Sequence, residues 1–201
     1  YPILNNTLNF WFKTFLTYGL LSLSFSLIGI SLDYFSDNVA KDDKTGIDIL
    51  KSASLEHVLG HIVFGMIVAI PTLAYRYIIA SGGFAILLDA DHLIQFFGIE
   101  NIARLGHGFI FAILVVIVMM FLFGKKDYFL GVISFAAILS HISFDILIGG
   151  GSSFPLFAPI STNFFIFQAN DWLLVLISGA LIVLSIKIIV SRKIYFEKLN
   201  K

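Results

Sequence analysis

Long apolar runs broken by short polar segments dominate this chain. Five stretches, at about residues 10–32, 58–80, 107–123, 128–149 and 172–190, approach or exceed the roughly 20 apolar residues that a helix needs to cross a bilayer. A sixth, residues 82–99, opens on Gly82-Gly83 and carries acids. It reads as a further span or as a re-entrant helix whose irregular backbone is buried in protein, with the span preferred. Two segments interrupt the pattern. Residues 33–56 hold six acids and three lysines, whereas residues 149–171 are rich in Gly, Ser, Pro and Phe and carry no Lys or Arg. Both read as loops, the first with a short amphipathic helix around Ile47 to Leu55, the second folding back against the membrane surface. The expected fold is all-α: one helical membrane domain over residues 1–201 with five to six transmembrane helices.

Composition strengthens this reading. Hydrophobic residues make up 58% of the chain and charged residues 13%, about half the usual share in soluble domains, and mean hydropathy is +0.94. Thirteen basic and thirteen acidic side chains balance, and no basic arm is present, which argues against nucleic acid as a partner. Membrane lipids are the expected surroundings, with membrane protein partners or a second copy of the chain packing on the Phe-rich exterior. Cysteine is absent, leaving His, Asp and Glu as the strong metal ligands. The chain opens on Tyr1 rather than Met, as a processed or trimmed start would.

With six spans, a cytoplasmic N-terminus places Lys13, Arg76, Lys125, Lys126, Lys187, Arg192, Lys193, Lys198 and Lys201 on the inner side. Lys41, Lys44, Lys51 and Arg104 fall outside. The positive-inside rule therefore predicts a plasma or inner membrane protein with both termini cytoplasmic.

Against this apolar background, Asp89-Ala90-Asp91-His92 is conspicuous. An aspartate at bilayer depth costs about 2.5–3.5 kcal/mol on insertion scales, so such groups face a protein interior, pair, or hold an ion. The same threading brings His57, His61, His92, His107 and His141 to a common depth. His57 and His61 are four residues apart, as are His141 and Asp145, so each pair shares a helix face. An imidazole and carboxylate set suits a divalent metal, Zn in preference to Mn or Fe. Asp89 and Asp91 lie about 200° apart on a helical wheel. Either one ligates while the other orients a histidine from behind, or the helix is broken there.

Each residue also has an ordinary reading. His57 borders an acidic loop as an interfacial histidine would; His61 and His92 could be satisfied polar groups in helix packing. His141 with Asp145 could be a hydrogen-bonded structural pair. Asp127 reads as a solvated turn charge beside Lys125 and Lys126, and Asp171 as the N-cap of the last helix. Glu100 and Arg104 read as interfacial, with Arg104 one turn before His107 and able to meet an anion.

The ordered set His61-Ile-Val-Phe-Gly65, Leu87-Leu88-Asp89-Ala90-Asp91-His92, Arg104-Leu105-Gly106-His107-Gly108, His141-Ile142-Ser143-Phe144-Asp145, and Gly149-Gly150-Gly151 leading to Ala158-Pro159-Ile160-Ser161 resembles the YdjM-like family of predicted membrane-bound metal-dependent hydrolases. The likeness covers about residues 57–161. Three departures stand out: Leu88 replaces the family's proline, the first His of its His-Arg element is missing, and Gly106 and Gly108 occupy its Thr and Ser positions.

Two classes of function follow. The first is a membrane-embedded metal-dependent hydrolase acting on a phosphoester or lipid head group at the outer interface. His57, His61, Asp91, His107, His141 and Asp145 would be its metal ligands, with Asp89 and His92 as orienting or general-base residues. The second is a non-catalytic subunit in which a metal or hydrogen-bonded cluster ties helices together. An ion or proton relay lacks a second acid cluster in the inner half, and a bis-histidine haem would need a large planar pocket.

Overall fold

A computed structural model describes residues 2–31, 54–90, 105–123, 127–161 and 163–199. Among the described residues, six helices carry the fold: α1 (Pro2–Ser31), α2 (Leu55–Ala69), α3 (Tyr75–Leu87), α4 (Phe109–Phe123), α5 (Tyr128–Gly149) and α6 (Asp171–Leu199). Four stretches of the described residues are long and apolar enough to cross a membrane: Leu8–Ile28, Leu55–Thr72, Tyr128–Gly149 and Asp171–Glu197. Helix α4 is apolar but has only 15 residues. Helix α5 is the central post, with 78% of its apolar window buried against 17% for α6. Leu8, Phe12, Leu16 and Leu20 on α1, and Leu173, Leu174, Ile177 and Leu181 on α6, are exposed. Stripes of that size are unusual on soluble monomers and are compatible with a membrane protein.

The expected span at 58–80 is divided. Helix α2 stops at Ala69, Ile70–Thr72 form a 3₁₀ turn with Pro71 in its first turn, and Leu73 adopts φ 56. Proline cannot supply the N–H that would continue the helix. Thr72 Oγ1 donates to the Ala69 carbonyl at 2.8 Å and accepts from the Ala74 N–H at 3.3 Å, so the chain reverses into α3.

Gly82 and Gly83, expected to open a span, instead lie inside α3, where each admits a neighbour. A Cβ at Gly82 would stand 2.9 Å from the Ile62 carbonyl oxygen of α2, and one at Gly83 would stand 2.5 Å from the Phe15 ring of α1. On the facing helix, a Cβ at Gly65 would meet the Ser81 carbonyl oxygen at 2.6 Å. Helices α2 and α3 therefore pack backbone to backbone, as small residues permit in membrane proteins. Helix α3 ends at Leu87 and residues 88–90 tighten into a 3₁₀ turn. The rest of the expected 82–99 segment, and nearly all of the expected helix at Ile47 to Leu55, lie outside the described residues; Leu55 itself starts α2, capped by Ser54.

Within this mostly helical, all-α fold, the 149–171 segment, expected to be a loop, contains a short hairpin. Gly151–Phe154 (β1) pairs antiparallel with Phe165–Gln168 (β2), in register Gly151 to Gln168 and Phe154 to Phe165. Gly150 and Gly151 take φ of 63° and 120°, conformations that glycine adopts without strain, and so end α5 and start the strand. Asp171 does not cap α6 through its own first turn; its Oδ2 accepts from the Gln168 N–H at 2.7 Å and secures the end of β2. Asp127 is also not a free turn charge. It caps α5 by accepting from the Leu130 N–H at 2.9 Å, and the Tyr77 hydroxyl donates to it at 2.8 Å.

Contacts orient the bundle. Phe10 of α1 meets Phe123 at the end of α4, and Tyr77 meets Asp127 at the start of α5. At the opposite end, Ser22 Oγ donates to the Leu88 carbonyl at 2.9 Å, Ser143 Oγ donates to the Trp172 carbonyl at 2.7 Å, and Trp172 touches Phe64. Helix α1 begins, and α6 finishes, at the end away from Asp89.

Candidate metal centre

Four elements converge on one point. The first two turns of α2 present His57 and His61; the turn after α3 presents Asp89; the 3₁₀ turn Leu105–His107 presents His107; and α5 presents His141 and Asp145. His141 lies eight residues before Gly149, about 12 Å along the helix at 1.5 Å per residue. His61, His107 and His141 have fully buried side chains, whereas those of His57, Asp89 and Asp145 are 23%, 15% and 11% exposed. The cluster is therefore reached from the His57 side.

Imidazole nitrogens and carboxylate oxygens face one another. His57 Nε2 stands 3.0 Å from His61 Nε2, and His107 Nε2 stands 3.0 Å from His141 Nε2. Asp89 Oδ2 lies 3.6 Å from His57 Nε2 and 3.5 Å from His61 Nε2, while its Oδ1 lies 3.4 Å from His141 Nε2. Asp145 Oδ1 lies 3.3 Å from His61 Nε2, and its Oδ2 lies 3.5 Å from His141 Nε2 and 4.0 Å from His107 Nε2. The rings of His61 and His141 stack with centroids 3.8 Å apart.

These spacings decide between two chemistries. Carboxylates bonded to imidazolium N–H groups would close to about 2.7–2.9 Å. Two ligands held at about 2.0–2.1 Å on a tetrahedral ion stand about 3.3 Å apart. Every His–Asp contact among the described residues is 3.3 Å or longer, so the spacing suits coordination better than direct hydrogen bonds. Among the described residues, three overlapping groups have the spacing to hold a metal ion: His57, His61 and Asp145; His61, Asp89 and His141; and His107, His141 and Asp145.

The backbone aims one ligand. His141 Nδ1 lies 2.8 Å from the Ala85 carbonyl oxygen and can only donate to it, which leaves the Nε2 lone pair directed into the cluster. His61 Nδ1 has no hydrogen-bond partner among the described residues, so packing alone sets that ring between His141 and Phe144. The hairpin closes the His107 side. Phe154 stacks on the His107 ring, Ser152 Oγ donates to the Asp145 carbonyl at 3.2 Å, and the Phe109 N–H donates to the Leu156 carbonyl at 2.7 Å.

No family model, curated protein or solved structure matches this chain. Geometry is therefore the evidence for the site. Of the residues singled out from sequence, His57, His61, Asp89, His107, His141 and Asp145 are brought together; Asp91, His92, Glu100 and Arg104 lie outside the described residues. Asp89, expected in an orienting or general-base role, stands at ligand distance from three histidines. Sequence reasoning did not find the Ala85 carbonyl or the Phe154 lid. A main-chain acceptor leaves no trace in residue identity, whereas the Phe-rich segment after Gly151 was a usable signal for the lid.

Proposed function

We propose that this chain is a membrane-embedded metal-dependent hydrolase acting on a phosphoester or lipid head group at one membrane interface. The observation that carries this reading is the convergence of four histidines and two aspartates, with His61, His107 and His141 fully buried and His57 the most exposed of the six. His57, His61, His107, His141, Asp145 and Asp89 would hold the metal, with zinc the first choice for such a nitrogen and oxygen set. A bound divalent ion would lower the pKa of water to about 7 and polarise a phosphoryl oxygen.

The protein's own residues would supply placement. The Ala85 carbonyl holds His141 in one tautomer, Phe154 and Phe144 exclude water from the histidine rings, and the His57 side admits the substrate. The resemblance to membrane-bound hydrolases supports the same class. Both termini would be cytoplasmic, in a plasma or inner membrane, with the site on the outer side. Lipids would surround the bundle, and protein partners or a second copy would pack on the exposed faces of α1 and α6.

The test is a screen of detergent-solubilised protein, metal-loaded and metal-stripped, against phosphomonoesters, phosphodiesters and phospholipids. Turnover that requires metal and vanishes in the H141A/D145A double variant supports a hydrolase.

A second reading, a non-catalytic structural metal site, draws on the full burial of His61, His107 and His141 and on the glycines at 106 and 108. It predicts a large fall in melting temperature on chelation with no turnover of any ester.

A further inference from the structure

We infer that the cluster is built for two cations, one at each histidine pair, with Asp89 and Asp145 each shared between them. The inference rests on the reading of this cluster as a metal site and fixes its stoichiometry and the charge of what it binds.

The partition of carboxylate oxygens carries the argument. One pair is His57 and His61, with Nε2 atoms 3.0 Å apart; the other is His107 and His141, also 3.0 Å apart. Asp89 turns Oδ2 to the first pair, at 3.6 and 3.5 Å, and Oδ1 to His141 of the second, at 3.4 Å. Asp145 turns Oδ1 to His61 of the first pair, at 3.3 Å, and Oδ2 to the second, at 3.5 and 4.0 Å. Each pair thus receives one oxygen from each carboxylate. Among the described residues the donors number four nitrogens plus four oxygens, eight in all, which divides into two four-coordinate sets of two nitrogens and two oxygens.

A single ion uses this arrangement less well. Placed within the group His61, Asp89 and His141, it leaves His57 and His107 on opposite sides of the cluster as spectators. Yet both direct Nε2 inward, and His107 is fully buried to do so. A nitrogen carried into an apolar interior and aimed at other acceptors requires a cation or a proton to offset its desolvation.

Charge then indicates the ligand class. Two divalent ions bring four positive charges and the two described aspartates remove two, so the described cluster, once loaded, carries a surplus of two. Such a surplus favours a dianion, and a phosphate monoester or inorganic phosphate supplies one. Neutral esters and amides do not.

Metal content of the full-length protein, measured by plasma mass spectrometry against amino-acid analysis, tests the inference, together with electron paramagnetic resonance of the Mn(II)-loaded form. Two ions per chain with a spin-coupled Mn spectrum is the expected result. H57A and H107A should each fall from two ions to one and lose the coupling, and inorganic phosphate should perturb the coupled spectrum of the wild type. One ion per chain at saturating metal, with an isolated six-line Mn spectrum, overturns the two-ion inference and leaves the metal-site reading standing. Absence of metal from folded protein after reconstitution overturns both.

Discussion

His141 donates its Nδ1–H to the main-chain carbonyl of Ala85 at 2.8 Å, joining the central helix α5 to the last turn of α3. That bond fixes the tautomer and leaves Nε2 as an acceptor among carboxylate oxygens. A residue such as His141 is difficult to replace even by another ligand, because a substitute must satisfy Ala85 and the cluster at once.

H141A is expected to abolish stable metal binding. H141N, which reproduces one polar contact and not both, should weaken affinity by at least the 10–100-fold typical of lost supporting contacts. Metal retained after dialysis against a graded series of chelators reads this out. Wild-type retention in H141N would remove His141 from the ligand set.

Chelation should lower the melting temperature of the wild type in detergent and leave that of the H141A/D145A variant unchanged, since a ligand that binds only the folded state stabilises it by mass action. Differential scanning fluorimetry with and without EDTA makes the comparison. An equal response in both proteins would place the stabilising metal elsewhere.

Gly65 and Gly82 set the separation of α2 and α3, and therefore the distance from His61 to Asp89. G65A inserts a Cβ 2.6 Å from the Ser81 carbonyl oxygen, an overpacking that typically costs about 1–3 kcal/mol. Both thermal stability and metal affinity should fall, the latter because Asp89 is carried on the turn that follows α3. Unchanged metal affinity in G65A would separate the helix contact from the site.

Gly108 lies against the segment that follows β1. A Cβ there would stand 3.0 Å from the Leu156 carbonyl oxygen and 3.1 Å from that of Pro155. G108S should displace the segment after β1 and lower stability, measured by thermal unfolding, rather than restore a missing polar group. A more stable G108S protein would contradict this packing.

Tyr77 lies outside the four spanning stretches, and its phenol is pushed up to about 12, first by burial and then by the Asp127 carboxylate, with Arg76 opposing. The folded state therefore favours the protonated phenol. Its contribution to stability is whole below the unfolded value of about 10 and is lost as pH rises through about 12. Y77F should flatten the alkaline limb of the stability curve between those values. D127A should additionally lose the cap of α5, worth about 1 kcal/mol.

The helical content and the i, i+4 pairs were readable because each depends on periodicity alone. His141 and Asp145 share a face in any helix, and they share one here. The α2–α3 reversal was harder to see, although Pro71 marked it, because apolar residues continue on both sides and only Thr72 and Arg76 interrupt them. The spacing of Asp89 and Asp91 left two readings open, a continuing helix or a broken one. A wheel drawn through Asp89 and Asp91 presumes a continuing helix, whereas α3 ends at Leu87 and Asp89 sits in the turn beyond it. Asp127 looked like a solvent charge because nothing local reveals that Tyr77, fifty residues earlier, bonds to it. The hairpin pairs Gly151–Phe154 with Phe165–Gln168 across a loop that contains two prolines and no strong alternation.

Helix α3 is short, and its shortness gives the molecule a direction. Beneath Asp89 the bundle is sealed by Phe84, Ala85, Val68, Ala137 and Ile138, all 0–1% exposed, while the only ligand side chain among the described residues with substantial exposure is His57. Among the described residues the cluster thus has a sealed floor, with His57 as its most exposed ligand. If the bundle crosses a bilayer, a centre floored in this way would serve the compartment on the His57 side.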